Sequence, residues 1–201
     1  MLVVGLTGGI GSGKSSVAER LVARGAVLVD ADAIVRELQE PGQPVLLAMV
    51  EHFGPGILTA DGHLDRQAVA DVVFADADAR TALNGIVHPI VNAEMARRMA
   101  DLAGTDRVVV MDIPLLTERR AGLGHVVVVD TPVQVAVERL VRHRGFSEDD
   151  ARARIAAQIS REERVALADF VIDNGGDLDH LDAEVERCWT WLTSLEQPPS
   201  P

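Results

Sequence analysis

The sequence predicts an α/β fold, a parallel sheet covered by helices on both faces with a helical subdomain inserted into it. Short, nearly continuous aliphatic runs alternate with stretches of helical composition, the pattern of strands buried on both faces. The first run leads directly into Gly8-Gly9-Ile10-Gly11-Ser12-Gly13-Lys14-Ser15, which fits G-x-x-x-x-G-K-[ST] without a mismatch. A length of 201 residues is enough for such a domain and its core.

Leu2 to Leu6 is the first strand, its apolar run ending at Gly8, and Ser15 to Leu21 has helix-forming composition. Strand, glycine loop and helix in that order are what a phosphate-binding loop requires. The glycines let successive N–H groups converge on phosphate oxygens at a positively polarised helix N-terminus. Lys14 then supplies a mobile cation for the β- and γ-phosphates, and the Ser15 hydroxyl a ligand for Mg2+. Ala26 to Asp30 is a second buried strand, followed by a helix from Ala31 to Leu38. From Pro41 to about Ala103 the composition is helical: Val45 to Phe53, Asp65 to Phe74, then Asp76 to about Leu102 with a break at His88-Pro89. Strands return at Arg107 to Asp112, His125 to Asp130 and Ala168 to Asp173, with helices between them. The ending Gln197-Pro198-Pro199-Ser200-Pro201 has linker composition.

The divisions expected are therefore a nucleotide-binding core (1–40, 104–140 and 166–196), a helical subdomain (41–103), a lid (141–165) and a tail (197–201).

Composition narrows the function. Thirty-one acidic against nineteen basic residues give a net charge of -12, which disfavours nucleic acid or an anionic membrane as partner. No stretch approaches the roughly 20 apolar residues of a membrane span. Met1 runs straight into a strand with no signal-peptide pattern, so a cytoplasmic location is expected. The single cysteine, Cys188, has no intrachain partner and reads as packing on the last helix. Nothing in the sequence specifies an oligomeric state.

A phosphate loop alone says nucleotide, not reaction. A GTPase switch needs an N-K-x-D guanine reader, which is absent, and Asp101-Leu102-Ala103-Gly104 carries the letters of a D-x-x-G switch only at the end of a helical run. Asp32 lies two residues past the second strand, where a carboxylate of a parallel sheet faces the nucleotide cleft and accepts the proton of an acceptor hydroxyl. Its structural alternative is a helix cap, although Asp30 is the better cap of the pair. Asp112 ends a strand where such proteins hold Mg2+ through its waters; a turn or cap before Pro114 is the competing role. Arg139, Arg142, Arg144, Arg152, Arg154, Arg161 and Arg164 crowd the stretch around Gly145-Phe146-Ser147. Planar guanidinium forks suit phosphoryl oxygens, so this stretch reads as an anion clamp, against the alternative of a solvated helix paired with its acidic neighbours.

Taken together, Gly5 to Ser15, Asp30-Ala31-Asp32, His88-Pro89-Ile90, Asp112-Ile113-Pro114-Leu115-Leu116 and Ala168 to Asn174 closely resemble the bacterial dephospho-coenzyme A kinases. The resemblance spans nearly the whole chain, the tail excepted. It implies a P-loop fold like that of the nucleoside monophosphate kinases, with a core, a helical coenzyme-binding insertion and a lid. The implied reaction is ATP-dependent phosphorylation of the ribose 3'-hydroxyl of dephospho-coenzyme A, with Mg2+ accompanying the ATP. By the same resemblance Lys14 stabilises phosphates, Asp32 orients or deprotonates the hydroxyl, and Arg139 brings charge from the lid side. Gly9, Ile10, Gly11, Ser12, Gly13, Lys14, Ser15, Ser16 and Asn174 would bind ATP; Thr7, Asp32, His88, Pro89, Ile90, Leu115 and Leu116 the acceptor; Ser15 and Asp112 the metal. Two positions depart from the family pattern: Thr117 stands for the usual phenylalanine, and His143 for a lid arginine. In some actinobacterial relatives a further domain follows, and the Pro-rich ending suits such a linker. Two other classes remain open, a kinase for another small hydroxyl acceptor and a nucleotide-sensing interaction protein.

Overall fold

A computed structural model describes residues 1–114, 116–118 and 123–195 of the chain. Its elements are β1 (Leu2–Gly8), α1 (Lys14–Ala23), β2 (Val27–Asp30), α2 (Ala31–Leu38), α3 (Pro44–Phe53), a 3-10 turn (Pro55–Ile57), α4 (Arg66–Ala75) and α5 (Ala77–Leu102). They continue with β3 (Val108–Asp112), β4 (His125–Asp130), α6 (Val133–Arg144), α7 (Glu148–Ala156), α8 (Arg161–Ala166), β5 (Phe170–Asp173) and α9 (Leu178–Ser194). The chain divides into two compact units, Met1–Val29 with everything from Leu102 onward, and Asp30–Asp101.

The first unit is built on the sheet. The five strands lie in the order β2-β3-β1-β4-β5. β1 runs parallel to β3 on one side and to β4 on the other, and β4 runs parallel to β5. With β1 central, the chain leaves it toward one edge and later returns on the other side, so the crevice at the C-terminal end of β1 is a switch point where ligands bind. Alternate residues face opposite layers. Leu2, Val4 and Leu6 join Val17, Leu21, Leu181, Val185 and Leu192 of α1 and α9 in one core cluster. On the other face Ile113, Leu116, Val126 and Val128 pack with Val165 and Leu167 around α8. Cys188 belongs to the first cluster, and burial pushes its thiol up to about 12. It is the packing residue expected on the last helix.

The second unit is helical. Asp30 caps α2, its carboxylate accepting from Ala33 N–H at 3.0 Å, and Asp65 caps α4 by accepting from Gln67 and Ala68 N–H, each at 3.0 Å. Ile34, Leu38, Val45, Leu46, Met49, Ile57 and Val91 form its buried apolar set.

One expected boundary is absent. α5 continues unbroken through His88 and Pro89. A helical proline leaves the carbonyl four residues earlier without its donor. Here that carbonyl belongs to Gly85, an exposed residue of α5. Among the described residues between β3 and β4 none is helical, and positions 115 and 119–122, where a helix was also expected, lie outside the described residues. Three strands start later than composition suggests: β2 at Val27 rather than Ala26, β3 at Val108 rather than Arg107, and β5 at Phe170 rather than Ala168, whose N–H bonds the Val165 carbonyl in the turn after α8. Among the described residues no helix is long and apolar enough to cross a membrane.

Candidate active site

Gly9 to Gly13 form the loop joining β1 to α1, and Gly13 caps the helix in the left-handed conformation with φ 80°. Gly11 has φ 78°, and a Cβ there would lie 2.8 Å from the Ala136 carbonyl oxygen of α6. Both conformation and space therefore demand glycine at Gly11. A Cβ on Gly9 would lie 2.9 Å from Arg164 Nη1, so the absent side chain is what lets that guanidinium approach the loop.

The loop is clamped from the opposite strand ends. The Ser12 carbonyl accepts from Asn174 Nδ2 at 2.7 Å and from Thr131 Oγ1 at 3.1 Å. Asn174 follows β5 and Thr131 follows β4, so two carboxyl-end residues fix the bend. Ile10 N–H donates to Gln158 Oε1 at 3.0 Å, tying the loop to the segment between α7 and α8.

Charges meet at this edge in an ordered way. Lys14 forms an ion pair with Asp112, both side chains mostly buried at 16% and 10% exposure. The pairing follows from the sheet: β3 lies beside β1, with Leu6 in register with Asp112. Arg139 of α6 points Nη2 at Asn174 Oδ1, 3.5 Å away. Its Nη1 is buried without a partner, as is Ser12 Oγ. Buried donors without acceptors are costly, and both lie beside a phosphate-binding loop where an anion would satisfy them. Arg164 is held by the Ile159 carbonyl at 2.9 Å, and burial pushes its pKa down, partly countered by Asp130. That burial makes its charge more effective toward any anion placed beside it.

Two concavities flank the loop. One of about 410 Å³ is lined by Gly9, Ile10, Ser12, Thr131, Arg161 and Arg164 among others. The other, of about 350 Å³, includes Gly11, Ser15, Ser16, Arg139, His143 and Asn174. Each is within the range of small-molecule sites, roughly 300–1,000 Å³.

The structure sorts the arginine-rich stretch. Arg161 forks onto Asp130 with contacts of 2.8, 3.1 and 2.6 Å. Arg152 pairs with Glu148 at 2.7 Å, and Arg154 stacks over the Phe146 ring at 4.6 Å. Arg142 and Arg144 are exposed at the end of α6 and form no ion pair among the described residues; His143 between them is also exposed. Solvated pairing thus accounts for Arg152, whereas Arg139 and Arg164 turn to the phosphate loop.

Among the remaining expected residues, Thr7 is buried in β1 and Leu116 is buried in the sheet core with Ile113 and Val126. Leu115 lies outside the described residues, as does the 197–201 tail. Ser15 is exposed in the first turn of α1. Within the helical unit Asp32 is exposed in the first turn of α2 and makes no cap bond, since Asp30 is the cap. His88 and Pro89 are exposed on α5, with Ile90 half-buried.

Gln158 and Thr131 were not among the expected site residues, and Arg164 was expected only within the anion clamp. Only Arg164 carried a signal, as one member of the arginine cluster. Gln158 meets a loop residue 148 positions away, which no local pattern shows.

A sequence-family profile described as dephospho-CoA kinase matches residues 2–180. A dephospho-CoA kinase of Thermobifida fusca is 51% identical over 194 residues, covering 96% of this chain and 96% of that protein. One from Streptomyces avermitilis is 50% identical over 203 residues, covering 99% and 98%. Among solved structures, a dephospho-CoA kinase from Campylobacter jejuni superposes with a TM-score of 0.69 at 26% identity, covering 94% of this chain and 96% of that one.

Proposed function

The chain belongs to the dephospho-CoA kinase family and phosphorylates dephospho-coenzyme A with ATP in coenzyme A synthesis, and from that premise we propose how its residues divide the work. The observation that carries the proposal is the pair Lys14–Asp112, set beside the unpartnered Ser12 Oγ and Arg139 Nη1. Without nucleotide, Asp112 is the counter-charge of Lys14. Incoming phosphates offer Lys14 a stronger set of oxygens, and its move toward them frees the Asp112 carboxylate.

Ser15 and Asp112 are the residues that would hold Mg2+. They are oxygen donors only, as a hard cation prefers, and two protein ligands suit an ion that keeps waters and binds largely through nucleotide phosphates. Among the described residues no three His, Cys, Asp or Glu side chains converge as a metal cage, so the ion would come with ATP. When bound, it neutralises charge building on the phosphoryl oxygens.

Asp32 takes the proton from the acceptor's ribose 3'-hydroxyl. The bond from that oxygen to the γ-phosphorus forms while the bond to the β-γ bridging oxygen breaks, and ADP leaves with the electron pair. Lys14, Arg139 and Arg164 stabilise the charge spread over the transferring group, the main contribution a protein makes to a loose transition state. The backbone amides of Gly9 to Ser16 and the Asn174 side chain hold ATP, and His88, Pro89 and Ile90 contact the acceptor. Residues 141–165 close as a lid and exclude water from the transfer. The net charge of -12 fits a cytoplasmic enzyme of small-molecule metabolism.

The test is ADP release with Mg-ATP, comparing dephospho-coenzyme A, adenosine and no acceptor, with the product examined for a new 3'-phosphate. Strong dependence on dephospho-coenzyme A is expected. Equal release without acceptor would reduce the protein to an ATPase or switch and return Asp32 to a turn residue.

A further inference from the structure

We propose that Gln158, in the segment between α7 and α8, is a positioning residue for the transfer, an inference that rests on the role given to Arg164 in stabilising the transferring group. Its side-chain oxygen holds the Arg164 guanidinium against the phosphate loop without cancelling the charge.

One atom joins the loop to the arginine. Gln158 Oε1 accepts from the Ile10 N–H at 3.0 Å and from Arg164 Nη2 at 3.4 Å. An amide oxygen has two lone pairs, so a single side chain serves both donors. The same Nη2 donates to the Ile159 carbonyl at 2.9 Å, which fixes the guanidinium a second time. Nη1 is left turned toward Gly9, where a Cβ would come within 2.9 Å of it.

Both of these acceptors are neutral. The carboxylate whose field reaches Arg164 is that of Asp130, and both of its oxygens are taken by the fork of Arg161. Among the described residues Arg164 donates only to the Gln158 and Ile159 oxygens and forms no ion pair. An amide dipole orients a guanidinium and leaves its unit charge in place. A carboxylate at the same point would cancel most of that charge toward a phosphate nearby.

The other arginines of this stretch show that the choice of amide is selective. Arg152 is tied down by Glu148 and Arg161 by Asp130, each by an acid. Arg139, which turns to the phosphate loop, meets an amide instead, Asn174 Oδ1 at 3.5 Å. Asn174 and Gln158 share a second property, since each also bonds the loop backbone, at the Ser12 carbonyl and the Ile10 N–H respectively. Each amide therefore links one loop group to one arginine that stays charged.

The consequence falls on the chemical step. A guanidinium already aimed at the loop stabilises charge on the transferring oxygens without having to reorganise first. Without the Gln158 oxygen, Arg164 keeps only the Ile159 carbonyl and loses its bond to the loop side. The loss should appear in kcat, because the acceptor touches neither residue on the assignment given above.

The test uses the full chain and steady-state turnover of Mg-ATP with dephospho-coenzyme A. Gln158→Leu, which removes the oxygen, is expected to lower kcat about tenfold and to change KM for dephospho-coenzyme A by less than about twofold. Gln158→Glu keeps the oxygen and its bond to Ile10 but adds charge, so it should match the parent in urea unfolding and still lie at least about tenfold below it in kcat. Arg164→Met alone should lower kcat about a hundredfold, and adding Gln158→Leu to it should cost less than about twofold more, since the glutamine acts through the arginine. Arg164→Met at the parental kcat would remove the arginine from the transfer, and the role of Gln158 would fall with it. Losses that multiply in the double variant, or a parental kcat in Gln158→Glu, would leave the arginine its role and reduce Gln158 to a tether, overturning the positioning. Circular dichroism confirms folding, and if the leucine variant fails to fold, Gln158→Glu with and without Arg164→Met decides the matter by the same criteria.

Discussion

The two units solve the same problem with different means. In the sheet unit, β1 is buried almost from end to end, Leu6 being 0% exposed, and apolar layers cover both of its faces. In the helical unit, α5 runs for 26 residues with Val91 as its sole buried residue, and α4 for 10 residues with none. Phosphate chemistry needs donors fixed in space, and a doubly covered sheet fixes them through Asn174 and Thr131. If the helical unit takes the acceptor as proposed, a large, flexible molecule meets surfaces that can adjust, since helices held by caps and exposed ion pairs adjust at low cost.

The largest test of this division is chemical. On the proposed assignment, in which each acts mainly in the transition state, Lys14→Ala and Asp32→Asn should each lower turnover by about a thousandfold or more. They should part company in binding, because Lys14→Ala weakens ATP whereas Asp32→Asn leaves ATP affinity intact. Nucleotide titration of both variants checks this. A loss of ATP affinity in Asp32→Asn would mean the helical unit also carries nucleotide, and the division would break.

Next in size is stability. Leu21→Ala removes a side chain from the cluster between sheet, α1 and α9 and should cost about 2–5 kcal/mol in urea unfolding. Leu47→Ala on α3, 59% exposed, should stay within about 0.5 kcal/mol. Similar costs at the two positions would contradict the contrast in burial.

Pro89 sharpens the comparison from the other side. A proline in a helix interior costs roughly 3 kcal/mol relative to alanine, and in α5 only Val91 is buried to offset it. Pro89→Ala should therefore raise the stability of the helical unit by about 1–3 kcal/mol while weakening acceptor affinity, if Pro89 is retained for contact with dephospho-coenzyme A. Thermal unfolding and acceptor titration on one variant separate the two effects. Greater stability with unchanged acceptor binding would remove Pro89 from the site.

These positions also show what the sequence makes visible. β4 and α2 were legible residue for residue: an aliphatic run ending at Asp130 has one reading, and Asp30 before an amphipathic stretch is a start signal. The phosphate loop was legible because each of its residues has one job. The uninterrupted α5 was not, since the cost of Pro89 depends on whether the orphaned Gly85 carbonyl reaches water, a property of the folded surface. The Lys14–Asp112 pair was half legible. Both residues were expected at the site for phosphate and metal, but their mutual pairing depends on β3 lying beside β1. Asn174 was expected near the adenine, and the structure adds that it clamps Ser12, a bond spanning 162 positions.

The smallest expected effect concerns how α5 is tied down. Glu94 accepts from Arg97 at 2.8 Å and from Arg98 at 2.7 Å, and Arg98 reaches on to Glu37 of α2 at 2.8 Å. Hydrogen bonds from Arg97 and then Arg98 hold the Glu94 carboxyl down at about 2, from an ordinary 4.5. A carboxyl with a depressed folded-state pKa stabilises above its unfolded value and loses that contribution as pH falls through the folded one. The support is therefore complete above about pH 4.5 and fades toward pH 2. Glu94→Gln should thus be slightly less stable than the parent at neutral pH, with the gap closing across that window and shrinking in molar salt. Melting curves of both proteins from pH 7 to pH 2 measure it. A gap that persists at the acid end would mean that Glu94 supports α5 through packing rather than charge, and the helical unit would then resemble the sheet unit more closely than its burial indicates.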